Sequence, residues 1–218
     1  MGRNSLGLRA PDEAALDFKR FPRKTLRAGS EWFRQHQKRP TADRGAWYFA
    51  SYPPGDEGGG RFDLPHPDGT CYLASTELGA VNELVGPECA DRGWVDGDLV
   101  AGRVISRLRL PDDVKAADTT SARAAQFRAT NELPATERYD ITQAWADTLH
   151  RAEFGGVYAL LRFTPGPTRG MALFGPAGTP NPAMPGDPAP VPVRQVLERL
   201  GIEVVEPPNF GSITIITP

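Results

Sequence analysis

The chain of 218 residues is poor in several residue types, and each shortage removes a class of function. Its two cysteines, Cys71 and Cys89, form no CxxC pattern and have no metal-ligand spacing, which excludes a disulfide scaffold, a cysteine-based zinc site and a dithiol redox centre. Both are expected to be reduced and structural. The three histidines, His36, His66 and His150, are scattered, and no metal is expected. No apolar run approaches the length that spans a bilayer, and residues 1–20 lack the apolar core of a secretory leader, so a cytoplasmic protein with no membrane partner is expected. Excess charge of one sign is also missing. With 25 Lys+Arg against 27 Asp+Glu, no direct nucleic-acid binding is expected, and an anionic ligand has to be met by local cations.

Proline and glycine are abundant, at 22 and 23 residues, and they punctuate the chain. The length suits one domain with a sizeable core. Residues 1–24 read as an N-terminal helical extension, in which "PDEAALDFKR" (11–20) has proline and acids at its start and bases at its end, as the helix dipole favours. Residues 25–218 form the main domain. "EWFRQHQ" (31–37), "AWYFASY" (46–52) and "GTCYLAST" (69–76) read as strands, and "STELGAVNELVG" (75–86) as a helix capped by Ser75 or Thr76 and stopped by Gly86-Pro87. Its apolar face is Leu78, Val81 and Val85. "DLVAGRVISRLRLP" (98–111) alternates as a strand with one wet face, on which Arg103, Ile105, Arg107 and Arg109 fall together. Helical composition returns at 119–130 and 142–153, and short apolar strands at 155–163 and 170–175. Residues 175–193 hold too many prolines and glycines for regular structure. A helix and strand follow from 194, and "GSITIITP" (211–218) reads as a last strand that pairs within the sheet or across a homodimer. Short strands mixed with helices, without a regular βαβ alternation, argue for an α+β fold with a mainly antiparallel sheet.

"GRFDLPHPDGTCYLASTELGAVNELVG" (60–86) concentrates the chemistry. Arg61 follows three glycines, a flexible approach that lets a guanidinium grip a phosphate with two parallel hydrogen bonds. Tyr72, on the following strand, offers a ring to stack on a heterocycle and a hydroxyl to bond a ribose or phosphate. Glu83 lies on the helix away from the Leu78, Val81, Val85 face, with Gly79 one turn before it leaving room for something to approach.

This run resembles the signature of the RES domain family, which includes NAD-degrading toxins of bacterial toxin–antitoxin modules. "AGSEWFRQHQ" (28–37) is similar to the family's first strand, and 141–175 resembles its helix, Gly-rich turn and paired strands, so the likeness covers about residues 25–175. The resemblance implies an ADP-ribosyltransferase-like fold with flanking helices around a cleft that holds NAD as substrate. It places Arg34 and Arg61 on the family's arginines, Tyr72 on its tyrosine and Glu83 on its glutamate. The family serine falls just ahead of "QAWA", where this chain has Asp140, Ile141 and Thr142; Thr142 supplies a hydroxyl there. His36 is a further candidate for the pocket. The implied catalytic set is Glu83, Arg61, Tyr72 and Thr142, and the implied NAD-binding set is Arg34, His36, Arg61, Tyr72 and Glu83. Cleavage of the nicotinamide–ribose bond follows as the implied reaction. Water, phosphate or a macromolecular side chain as acceptor would make the protein an NAD glycohydrolase, an NAD phosphorylase or an ADP-ribosyltransferase. An NAD-binding module without turnover stays open, as does a helix-turn-helix antitoxin as partner.

Overall fold

The computed structural model describes residues 7–38, 45–52 and 58–206 of the chain. The chain enters through a turn and a single 3-10 turn at Phe18–Arg20, then runs through β1 (Arg23–Leu26) and β2 (Glu31–Gln37). Two short strands, β3 (Ser51–Tyr52) and β4 (Leu64–Pro65), precede β5 (Asp68–Ala74) and α1 (Glu77–Arg92). Next come β6 (Val95–Asp96), α2 (Gly97–Val100), β7 (Arg103–Arg109) and β8 (Val114–Asp118). A 3-10 segment, Ala122–Phe127, leads to α3 (Tyr139–Arg151), β9 (Gly156–Leu160) and β10 (Arg169–Pro176). The described chain closes with β11 (Val191–Pro192), α4 (Val193–Leu200) and β12 (Val204–Val205).

Eight strands form one sheet in the order β1-β8-β9-β10-β5-β2-β7-β11, and every neighbour pair except β8–β9 is antiparallel. The fold is therefore α+β with a mainly antiparallel sheet, as the sequence pattern required. Side chains alternate faces along each strand and sort the core. On β10, Met171 and Leu173 join Trp32, Leu108 and Cys71 on the back face, while Ala172 and Phe174 point to the front. The front carries two separate helical layers. One packs α3, through Trp145, Ala146 and Leu149, with Leu8, Phe18 and Phe21 of the N-terminal segment. The other packs α1 and α4, through Val81, Val85, Val196 and Leu197, on Ile105 and Ala74. The proline-rich segment lies near the back face, where the Trp47 indole donates to the Pro185 carbonyl at 2.8 Å and Met184 packs on the core.

Several local expectations change. The helix expected over 11–20 is reduced to turns, because Phe18 and Phe21 are buried one turn apart in the α3 layer rather than along a helical stripe. The strand expected over 46–52 is cut to bridges at Phe49 and Ala50 and the two residues of β3. Helix α1, capped by the Thr76 hydroxyl on Gly79 N (3.0 Å), runs through Pro87 to Arg92. Gly86-Pro87 is thus no stop: the helix continues although proline withholds the N–H for the Glu83 carbonyl and its ring crowds that carbonyl, and Gly93 in the left-handed region ends it instead. Leu78 is exposed, and Ala80 takes its place in the core. Ile105 is buried, because α1 and α4 cover the start of the supposed wet face of β7. The helix expected over 119–130 is a 3-10 segment at Ala122–Phe127, and Val191–Pro192 pairs with β7 inside the segment read as irregular. The expected last strand, 211–218, lies outside the described residues. No helix among the described residues is long and apolar enough to cross a membrane.

Leu149 is fully buried on α3 against the sheet. Leu149→Ala is expected to cost about 2–5 kcal/mol of stability, read as a lower urea midpoint at unchanged slope.

Candidate active site

A cleft of about 1000 Å³ opens on the front face where the two helical layers part. Its floor is Phe33, Ala74, Ala159 and Ala172, small or flat side chains that leave the sheet accessible. The strands themselves help to open it. β2 meets β5 at a single pair, Phe33↔Ala74, whereas it pairs with β7 over all seven residues from Glu31 to Gln37.

One wall is the turn from Gly58 to Asp63, and a buried carboxylate organises it. Asp63, 2% exposed, accepts from Gly60 N at 2.6 Å and from the Tyr72 hydroxyl at 2.7 Å. That hydroxyl in turn accepts from Phe62 N at 2.8 Å. A Cβ on Gly60 would sit 2.8 Å from the Tyr72 hydroxyl, so only glycine lets the turn close this tightly. From α3, the Gln143 amide donates to the Gly58 and Gly60 carbonyls at 3.2 and 3.0 Å, and the Thr142 hydroxyl donates to the Arg61 carbonyl. The Arg61 backbone is thereby fixed, and its guanidinium lines the cleft, donating to the Thr136 carbonyl and lying 5.0 Å from the Tyr139 ring centre. Burial pulls the Arg61 pKa down and that of Asp63 up; hydrogen bonds from Gly60 and Tyr72 and the charge of Arg34 hold Asp63 back. Burial and the neighbouring Asp63 push the Tyr72 phenol well above its ordinary value.

The opposite wall is α1 with the loop between β9 and β10. Glu83 reaches the cleft, and its Oε1 accepts from Phe163 N at 2.9 Å. Glycines on the same helix allow this approach. A Cβ on Gly79 would meet Thr168 Cγ2 at 2.7 Å and Leu161 Cδ1 at 2.8 Å, and one on Gly86 would strike the Phe163 side chain at 2.4 Å. The room left by Gly79 is thus filled by the chain's own loop. Loss of hydration raises the Glu83 pKa above the ordinary glutamate value, and the Phe163 N–H, Arg61 and Arg162 oppose the rise. Glu83 is open to solvent on the cleft side and packed by the 161–168 loop on the other, where the Phe163 N–H meets it.

The residues singled out in the sequence divide into two groups. Arg61, Tyr72, Glu83 and Arg34 all line the cleft. His36 and Thr142 are not among its lining residues. The His36 imidazole is 2.8 Å from the Ser106 hydroxyl, across the β2–β7 pairing. Thr142 is fully buried and acts through the Arg61 carbonyl. The Tyr72 hydroxyl, expected to meet a ribose or phosphate, is engaged with Asp63 and Phe62, while the residue lines the cleft. Arg34 donates to the Tyr48 carbonyl and to Cys71 Sγ. Sequence reasoning missed Asp63, Gln143, Tyr139 and Arg162. Asp63 and Arg162 carried a signal: a carboxylate between Phe62 and Leu64, and a cation at the end of the apolar run of β9.

The chain is thus an α+β domain with a cleft between two helical layers over a mainly antiparallel sheet, a carboxylate on one wall and a guanidinium on the other. The RES domain family matches residues 31–192, and the chain belongs to that family. The resemblance drawn from the 60–86 signature is borne out, and the match runs further toward the C-terminus than the likeness to residue 175. Among solved structures, the chain is similar to one in the crystal structure of the M. tuberculosis MbcT–MbcA toxin–antitoxin complex, at 15% identity and a TM-score of 0.49, over 69% of this chain and 76% of that one. No curated protein matches the chain.

Tyr72→Phe would leave Phe62 N–H without its acceptor and remove one donor from buried Asp63, at a cost of roughly 1–3 kcal/mol. The cost should depend on pH. The folded pKa of Asp63 is raised, so this group's contribution to stability is lost as pH rises through that value; without the Tyr72 donor the folded pKa rises further. Urea denaturation is therefore expected to show a larger deficit for Tyr72→Phe at pH 7 than at pH 4.

Proposed function

We propose that the protein is an NAD+-consuming enzyme that breaks the bond between nicotinamide and ribose. The observation that carries this reading is the confrontation of Glu83 and Arg61 across one cleft, with each lowering the other's electrostatic cost. Membership of the RES domain family supports the same reading, and a cleft of about 1000 Å³ is at the upper end of small-molecule sites, ample for a dinucleotide.

The chemistry needs little more. As the glycosidic bond breaks, its electron pair leaves with nicotinamide, which becomes neutral, and positive charge develops on the ribose. A fixed carboxylate beside the sugar stabilises that charge more in the transition state than in the ground state. Glu83 fills this role, with one oxygen already oriented by the Phe163 N–H. Its raised pKa also suits it to take the proton that an attacking oxygen, from water or phosphate, loses on bonding to the ribose carbon. Arg61 neutralises the diphosphate, the ring of Tyr72 packs against the ligand, and Thr142 serves by holding the Arg61 backbone. In this reading no metal takes part. Within a toxin–antitoxin module, a helix-turn-helix antitoxin covering the cleft would silence the enzyme; the family resemblance is what supports that extension.

The test is to incubate the purified protein with NAD, with and without inorganic phosphate, and to weigh the products. Free nicotinamide with ADP-ribose is expected if water is the acceptor, and nicotinamide with a phosphorylated ADP-ribose if phosphate is; NAD left intact under both conditions would sink the proposal. Glu83→Gln keeps an acceptor for the Phe163 N–H and is expected to lower turnover roughly 100- to 10 000-fold with little change in stability. Glu83 must be ionised to act, so activity should fall as pH drops through its raised pKa, with the acid limb above the ordinary glutamate range. Arg162→Gln removes a cation that opposes the rise and should move that limb to still higher pH.

A further inference from the structure

The NAD-binding set implied by the family resemblance holds two arginines, Arg34 and Arg61, and the structure distributes the cations of the cleft differently. Arg34 is tied toward the back of the sheet: one of its terminal nitrogens donates to both the Tyr48 carbonyl and Cys71 Sγ, and Cys71 belongs to the back-face core. A guanidinium so engaged has one nitrogen committed to Tyr48 and Cys71, and turning that nitrogen toward a ligand would break both bonds.

Arg162 is in the opposite situation. It lines the cleft from the loop after β9, next to Phe163, whose N–H orients Glu83, with its guanidinium 5.0 Å from the Phe163 ring centre. Its anionic partner is Glu137, at 2.9 Å across the cleft mouth. The Arg162 side chain is 28% exposed and that of Glu137 83%, so the carboxylate is almost fully hydrated and is bound weakly enough to be replaced. Glu137 also stands in the segment that occupies Arg61, through the Thr136 carbonyl and the Tyr139 ring. Both free-facing cations of the Glu83 pocket are thus held by residues 136–139, and both are near enough to Glu83 to act on its charge.

Building on the NAD reading, we propose that Arg162, and not Arg34, is the second diphosphate-binding residue beside Arg61, and that Glu137 is an internal counter-anion which the diphosphate displaces on binding. A diphosphate offers a guanidinium paired oxygens and more charge than one carboxylate, which gives the exchange its direction. Glu137 then acts as a specificity element: ligands without a strong anion gain nothing by entering, because they leave the Arg162–Glu137 pair intact.

The test measures binding of ADP, as a minimal nucleoside diphosphate, and of adenosine, as its neutral counterpart, by calorimetry to wild type, Glu137→Gln, Arg162→Gln and Arg61→Lys, with NAD turnover followed in parallel. Glu137→Gln, which removes the competitor at a hydrated rim position, is expected to tighten ADP about two- to fivefold. Arg162→Gln is expected to weaken ADP about tenfold or more, and adenosine should bind all four proteins alike. If ADP binds Glu137→Gln and Arg162→Gln as it binds wild type while Arg61→Lys weakens it and NAD is still consumed, the Arg162 assignment fails and the NAD reading stands. If wild type neither binds ADP nor consumes NAD, both fall together.

Discussion

The site depends on one buried carboxylate. Asp63 receives the Gly60 amide and the Tyr72 hydroxyl in a place where an unpaired charge would be prohibitive, and those two bonds define the turn that carries Arg61. A buried acid of this kind adds little net stability, since its desolvation offsets much of what its hydrogen bonds contribute. Its effect is to make one arrangement of the turn far better than any other. β5 supplies the phenol, α3 supplies Gln143 and Thr142, and the glycines remove the side chains that would keep these parts apart.

The two walls of the cleft are built on different principles. The Arg61 wall is a hydrogen-bonded turn, rigid because each polar group in its interior is matched. The Glu83 wall is a packing device, in which Gly79 and Gly86 bring the 161–168 loop against α1 until a backbone amide reaches the carboxylate. The first fixes a cation through polar complementarity, the second an anion through close contact. Between them, the splay of β2 from β5 after Phe33 leaves the sheet bare.

Much of this was legible in the sequence, for physical reasons that differ by element. β2 was read with its exact limits because its aromatic and long polar side chains are bounded by turn residues on both sides, and Glu83 and Arg61, which both line the cleft, stood out because charges in an otherwise apolar, Gly-punctuated run are conspicuous. The course of α1 beyond Pro87 was not legible, since whether a helix survives a proline depends on whether the freed carbonyl is tolerated by its surroundings. The engagement of the Tyr72 hydroxyl was hidden as well. Its partners, Asp63 and Phe62, lie nine and ten residues away along the chain and meet it only through the turn. Thr142 was picked for its hydroxyl, and the hydroxyl proved to point at a backbone carbonyl, an orientation that spacing along a helix does not reveal.

Helix α3, which grips the Arg61 turn through Thr142 and Gln143, is itself belted from outside. The Trp145 indole donates to the Arg9 carbonyl, and Glu13 takes both the Thr148 hydroxyl and a two-pronged bond from Arg151. The first residues of the described chain are thereby joined to the cleft through one helix, held by Arg9 and Glu13 on its outer side and holding the Arg61 turn through Thr142 and Gln143. A segment distant from Arg61 in sequence is thus tied, through α3, to the turn that carries it.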